Sequence, residues 1–172
     1  MLTLKNLLGY GLLIALPFSA SAELSCQNKN FKWSDTKPAV NLQHIFCGES
    51  HHGRNKGFHS NALLTSSSVV SGISNKKPLK GGIYNARVKF NNGKTKFSTF
   101  FPNHCNIATI IRSVTYAASH STGKHPQWGI LGQSAPKPNK QGYCLLNNGK
   151  PFSIRMGLVK NNKRVNTAFP QP

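Results

Sequence analysis

IYNARVKFNNGKTKFSTFFPNHCNIATIIRSVTYAASH, residues 83–120, sets a hairpin beside a helix and decides the fold class. Residues 83–90 and 94–101 read as two strands. Between them stand Asn91, Asn92 and Gly93, residue types that accept the positive φ angles of a hairpin turn. Pro102 has no backbone N–H and stops the sheet. Ile107, Ile110, Ile111, Val114, Ala117 and Ala118 then recur at i, i+3, i+4, i+7 spacing. That period predicts an amphipathic helix over residues 106–120, laid on the hairpin.

Outward from this stretch the signals remain mixed. Residues 143–146, 152–159 and 164–169 read as three further strands, the last two joined by a turn at 160–163, and residues 120–138 read as a long loop. On the N-terminal side, Val40, Leu42, His44 and Ile45 suggest a short helix over residues 39–47, with His44 near its end. Gly48, Gly53 and Gly57 mark a loop after it. There are no internal repeats. The expected class is α+β, one domain built on a mainly antiparallel sheet with a few helices.

The N-terminus has the pattern of an export signal: Lys5, an apolar run over residues 7–17, and the small residues Ala20, Ser21 and Ala22 at a cleavage site. The expected division is a signal peptide at 1–22 and a domain at 23–172, secreted or periplasmic, monomeric and without a membrane span. Loss of residues 1–22 removes Lys5 and no acid. This leaves 21 Lys and Arg against 3 Asp and Glu, a formal charge of +18. A charge of that size and single sign points to a polyanion, because cations displace condensed counterions from phosphate chains. Cys26, Cys47, Cys105 and Cys144 all lie beyond the signal, and export places them where disulfides form. Two bridges are expected. The spacings contain no CxxC pair of the kind that holds zinc, and they leave three connectivities open.

Chemistry concentrates in HIFCGESHHGRNKGFHS, residues 44–60. His44 and His59 are spaced around glycines and cations, and Glu23, Asp35 and Glu49 are the only carboxylate side chains in the whole chain. Imidazoles titrate near neutrality, so one ring can take a proton from an attacking hydroxyl while the other gives one to a leaving oxygen. Metal-dependent nucleases hold their ions with oxygen ligands that this chain scarcely contains. No metal or other cofactor is expected. Glu49 is expected to pair with a neighbouring cation or a backbone amide.

His44, Ile45, Gly48, Glu49, Gly57, Phe58, His59 and Ser60 together resemble the histidine segment of the EndoU endoribonucleases, closest to bacterial EndoU toxin-type domains. Ser98, Thr99, Phe100, Phe101 and Pro102 resemble that family's strand-to-helix element. Residues 165–170, Val165 to Pro170, resemble its closing strand. The resemblance implies a curved antiparallel sheet of the barnase/EndoU/colicin/RelE type. It also implies cleavage of RNA in which the ribose 2′-hydroxyl attacks phosphorus, giving a 2′,3′-cyclic phosphate and a 5′-hydroxyl. By the same resemblance His59 is the general base and His44 the general acid. Lys96, two residues before Ser98 and on the same strand face, is the expected stabiliser of phosphoryl charge, with Lys94 and Lys89 as rivals. Ser98, Thr167 and Phe169 are the expected substrate contacts. Many members have tyrosine where this chain has Phe169, which keeps a stacking face but lacks the phenolic hydrogen bond.

The function expected is therefore a secreted, metal-independent endoribonuclease, used as an antibacterial or host-directed toxin or for scavenging RNA. Its partners are RNA and, by the family pattern, a cognate inhibitor protein. The rival is a non-enzymatic cationic protein that binds nucleic acid or anionic envelopes. Charge accounts for the lysines in that reading, but not for His44 and His59.

Overall fold

The computed structural model describes residues 24–159, 161 and 164–172. The signal peptide expected at 1–22 lies outside them, as does most of the turn at 160–163. Among the described residues ten strands and one α-helix follow in chain order: β1 (Ala39–Val40), β2 (Glu49–His51), β3 (Arg54–Lys56), β4 (Val70–Pro78), β5 (Tyr84–Phe90), β6 (Thr95–Phe100), α1 (Ile107–Ser119), β7 (Ser121–Lys124), β8 (Ile130–Gln133), β9 (Ser153–Leu158) and β10 (Arg164–Gln171). A five-stranded sheet runs β1-β10-β9-β8-β7, and a three-stranded sheet runs β4-β5-β6. A third pairing is the small hairpin β2-β3. Of these strand pairs only β1 against β10 is parallel. The class is α+β with mainly antiparallel sheets.

The β5-β6 hairpin and α1 fall where the pattern puts them. Asn106 caps the helix, its side chain accepting from the Thr109 N–H at 2.9 Å and satisfying one of the free donors of the first turn. Ile110, Val114 and Ala117 are buried, with Ile107, Ile111 and Ala118 partly so. The helix does not lie on the hairpin that precedes it. It packs on β1, β8, β9 and β10 of the five-stranded sheet, whose Ile154, Met156, Val165 and Ala168 share its core.

Other expectations are corrected. Residues 39–47 divide into β1 and one turn of π-helix, Gln43–Cys47, so His44 sits in a five-residue turn. The expected loop at 48–57 is the hairpin β2-β3. Its turn residues His52 and Gly53 both have positive φ, 48° and 72°, the geometry that matches strand twist in two-residue turns. The expected loop at 120–138 contains the hairpin β7-β8. Residues 143–146 are not a strand. There Cys144 is tied to Cys105, its N–H donates to Ser113 Oγ, and the chain turns back through Leu146 N–H to Lys150 O. β4 has no counterpart in the expected elements.

Two buried clusters result. The larger joins α1, the five-stranded sheet and the π-helical turn. The smaller lies under the three-stranded sheet and contains Phe58, Val70, Tyr84, Ala86, Val88, Phe90 and Phe100. The disulfides are Cys26–Cys47 and Cys105–Cys144. Among the described residues no helix is long and apolar enough to cross a membrane. The disulfides are compatible with an extracellular or periplasmic protein.

Candidate active site

His44 and His59 are brought together by backbone geometry at Gly57 and Phe58. Both have positive φ, 70° and 64°, a conformation that is unusual for a bulky side chain. The bend lets Phe58 N–H donate to His44 O and His59 N–H donate to Ile45 O, each at 2.7 Å. A Cβ on Gly57 would stand 2.1 Å from His44 O, so no other residue fits that approach. The Phe58 ring is fully buried in the smaller core, edge-on to Phe100, and this packing offsets the strain of its backbone. His44 is further tied to β10: its N–H donates to Asn41 Oδ1, and Asn41 Nδ2 donates to Asn166 Oδ1, both at 3.0 Å.

The rings face each other with centroids 6.0 Å apart and planes 28° from parallel. Each Nδ1 is already engaged. His59 Nδ1 lies 3.0 Å from Thr99 O, and a carbonyl only accepts, so Nδ1 carries the hydrogen and Nε2 of the neutral ring is a free lone pair. Burial holds His59 well below the ordinary histidine pKa, and the positive charge of Lys96 and then that of His44 push the same way. His59 is neutral at neutral pH. His44 Nδ1 is 3.0 Å from Glu49 Oε2. The hydrogen bond to His44 is the main cause that lowers the Glu49 pKa, so this carboxylate is ionised and accepts from Nδ1–H. Glu49 thus holds the His44 ring by Nδ1 and leaves Nε2 as its other nitrogen.

Both histidines open into one cavity of about 330 Å³, lined also by Lys96, Ser98, Thr99, Trp128, Thr167 and Phe169. Lys96 Nζ donates to Ser98 Oγ at 2.6 Å and to Gly57 O at 3.2 Å. Burial lowers its pKa to about 8, which leaves it cationic at neutral pH. Phe169 stacks on His59 with centroids 5.1 Å apart, and Trp128 meets Phe169 edge-on at 5.9 Å. Arg155, opposite Phe169 in the β9-β10 register, lies over the Trp128 ring at 3.9 Å and donates from Nε to Trp128 O.

All six residues picked out by sequence therefore line the same cavity. The rivals of Lys96 do not: Lys89 is exposed on β5, and Lys94 reaches Gly53 O. Three participants were not anticipated as such. Trp128 lies in a stretch read as loop, where an aromatic among polar residues was the available signal. Arg155 and the Thr99 carbonyl act through pairings that no local pattern announces. Among the described residues no group of three or more His, Cys, Asp or Glu is placed to hold a metal. A larger, open hollow of about 750 Å³ at His104, Tyr143 and Asn147 shares no residue with this cavity and lacks a paired acid and base.

Comparison with curated proteins and with solved structures finds no match. The family model described as Bacterial EndoU nuclease matches residues 38–172, from just before β1 to the C-terminus, and so takes in both histidines, Lys96 and the closing strand. A match of that extent, over a cavity that pairs a neutral imidazole with a carboxylate-bound one, gives the conclusion that the chain belongs to the bacterial EndoU nuclease family.

Proposed function

We propose that this protein is a secreted endoribonuclease that cleaves RNA by attack of the ribose 2′-hydroxyl on the adjacent phosphorus. The observation that carries the reading is the fixed His59 tautomer, which presents an unprotonated Nε2 to the same cavity as a carboxylate-paired His44. His59 Nε2 takes the 2′-hydroxyl proton as O2′ bonds to phosphorus. The bond from phosphorus to the 5′-oxygen breaks, and that oxygen takes a proton from His44 Nε2. The products are a 2′,3′-cyclic phosphate and a 5′-hydroxyl. Each proton transfer contributes on the order of 10² to 10⁴ in rate. Lys96 faces the non-bridging oxygens and opposes the charge that develops there. Ser98 and Thr167 contact the nucleotide, and Phe169 borders its base while packing His59 away from water.

The formal charge of +18 beyond the expected signal suits an RNA substrate, and two disulfides suit action outside the cytoplasm. Use as a toxin against a competitor or host would bring a cognate inhibitor as a second partner. The deciding experiment is incubation with RNA and with the matching DNA in excess chelator, followed by mass spectrometry of the products. Cyclic phosphate ends from RNA alone are expected. Products with a 5′-phosphate, or loss of all activity in chelator, would overturn the mechanism.

A further inference from the structure

We infer that the solvent face of the three-stranded sheet is a track for single-stranded RNA leading into the catalytic cavity, with Phe97 as a nucleobase platform. The inference rests on the ribonuclease reading above and extends it beyond the scissile nucleotide. Side chains alternate across a strand, so β6 turns Ser98 and Phe100 inward, Ser98 to the cavity wall and Phe100 into the smaller core, and Phe97 the other way. Phe97 is 58% exposed, more than Leu24 or Trp128, the other exposed large apolar side chains among the described residues. The core beneath is closed without it.

Its neighbours on that face are cationic or neutral. The β-register sets Ser74, Arg87 and Phe97 in one transverse row, Gly72, Lys89 and Thr95 in the next, and Lys77, Asn85 and Thr99 on the other side. Arg87, Lys89 and Lys77 are exposed, and no carboxylate belongs to any row. The face is also continuous with the cavity, which Phe97 and Thr99 both border, and the Thr99 carbonyl holds His59. Two residues along a strand span about 7 Å. That spacing is about one nucleotide step, so the base on Phe97 belongs to a nucleotide just beyond the pair that flanks the bond being cut. An aromatic ring needs an unpaired base to stack on, while lysine and arginine beside it follow the phosphates, so the fit is to a single strand rather than a duplex.

The test uses the full disulfide-bonded protein and a single-stranded 2′-deoxy oligonucleotide carrying bromodeoxyuridine, which cannot be cleaved by the 2′-hydroxyl route. Photo-cross-links mapped by mass spectrometry should fall on Phe97 and its strand. Adducts confined to other segments, or none, would overturn the track. An equal amount of duplex RNA or of polyglutamate should compete poorly, and full competition by either would mean that charge alone acts there. In kinetics, the ratio of kcat/KM for a twelve-nucleotide RNA over a dinucleotide should fall about ten-fold in Phe97→Ala, the loss of one stacked base. Phe97→Trp should restore it, and an unchanged ratio in Phe97→Ala would count against the platform. Should the protein cut no RNA at all, the ribonuclease reading falls, while the cross-linking arm still decides whether this face binds a strand.

Discussion

His44 and His59 differ in what holds their Nδ1 atoms, a carboxylate in one case and a backbone carbonyl in the other, and in the proposed mechanism this difference separates acid from base. His44→Ala and His59→Ala should each lower turnover by at least about a hundred-fold, the low end for loss of proton transfer. RNA affinity should stay within a few-fold, since many cations supply it. Single-turnover kinetics beside a binding titration provide the check. His59 also sets a pH dependence. Its folded pKa is depressed, so the base form dominates down to well below the ordinary value of 6.5, and the acid limb of kcat/KM should lie correspondingly low. Phe169 covers one face of the ring. Phe169→Ala should admit water and shift that limb upward toward 6.5, an effect that simple loss of substrate stacking would not produce. Stability carries the same sign: below 6.5 the unfolded chain takes a proton that folded His59 refuses, so the melting temperature should fall as pH drops toward the depressed pKa. At this scale the sequence is legible where side-chain type and spacing define the chemistry. It is illegible where a backbone carbonyl from forty residues away fixes a tautomer.

Elements were readable in proportion to how one-sided their burial is. α1 and the β5-β6 hairpin each bury one face, so period and composition agree. β4 leaves no readable pattern because its later residues, Asn75 to Pro78, are exposed and mostly polar, and it breaks register twice against β5. β7, Ser121–Lys124, is exposed at every position and has no apolar alternation to read. The π-helical turn is a different case. Five residues give no period, and its place is fixed by Asn41 at one end and by Cys47, bridged to Cys26, at the other. Loss of that bridge should therefore affect catalysis as well as stability. Reduction should lower stability by roughly 2 to 4 kcal/mol per bridge. The Cys26→Ser/Cys47→Ser double variant should lose proportionately more turnover than Cys105→Ser/Cys144→Ser, whose bridge lies away from the cavity. Thiol counting, melting curves and single-turnover rates on the two variants test this.

Over the whole molecule, charge and cysteine usage pointed to a polyanion and an oxidising compartment without any knowledge of topology. The arrangement of two sheets around one cavity depended on long-range pairing, above all β10 between β1 and β9. That partition has a mechanical consequence. His44 is carried by the larger cluster and Lys96 by the smaller, so the groups proposed as catalytic meet at a joint and would report the alignment of the two clusters. Sub-global opening costs less than complete unfolding. In a urea titration, activity should disappear at a lower concentration than far-UV ellipticity, and coincident midpoints would show that the two bodies loosen only together. An enzyme built in this way is disarmed by misalignment before it is denatured, and a binder wedged at the seam would silence it without touching either histidine.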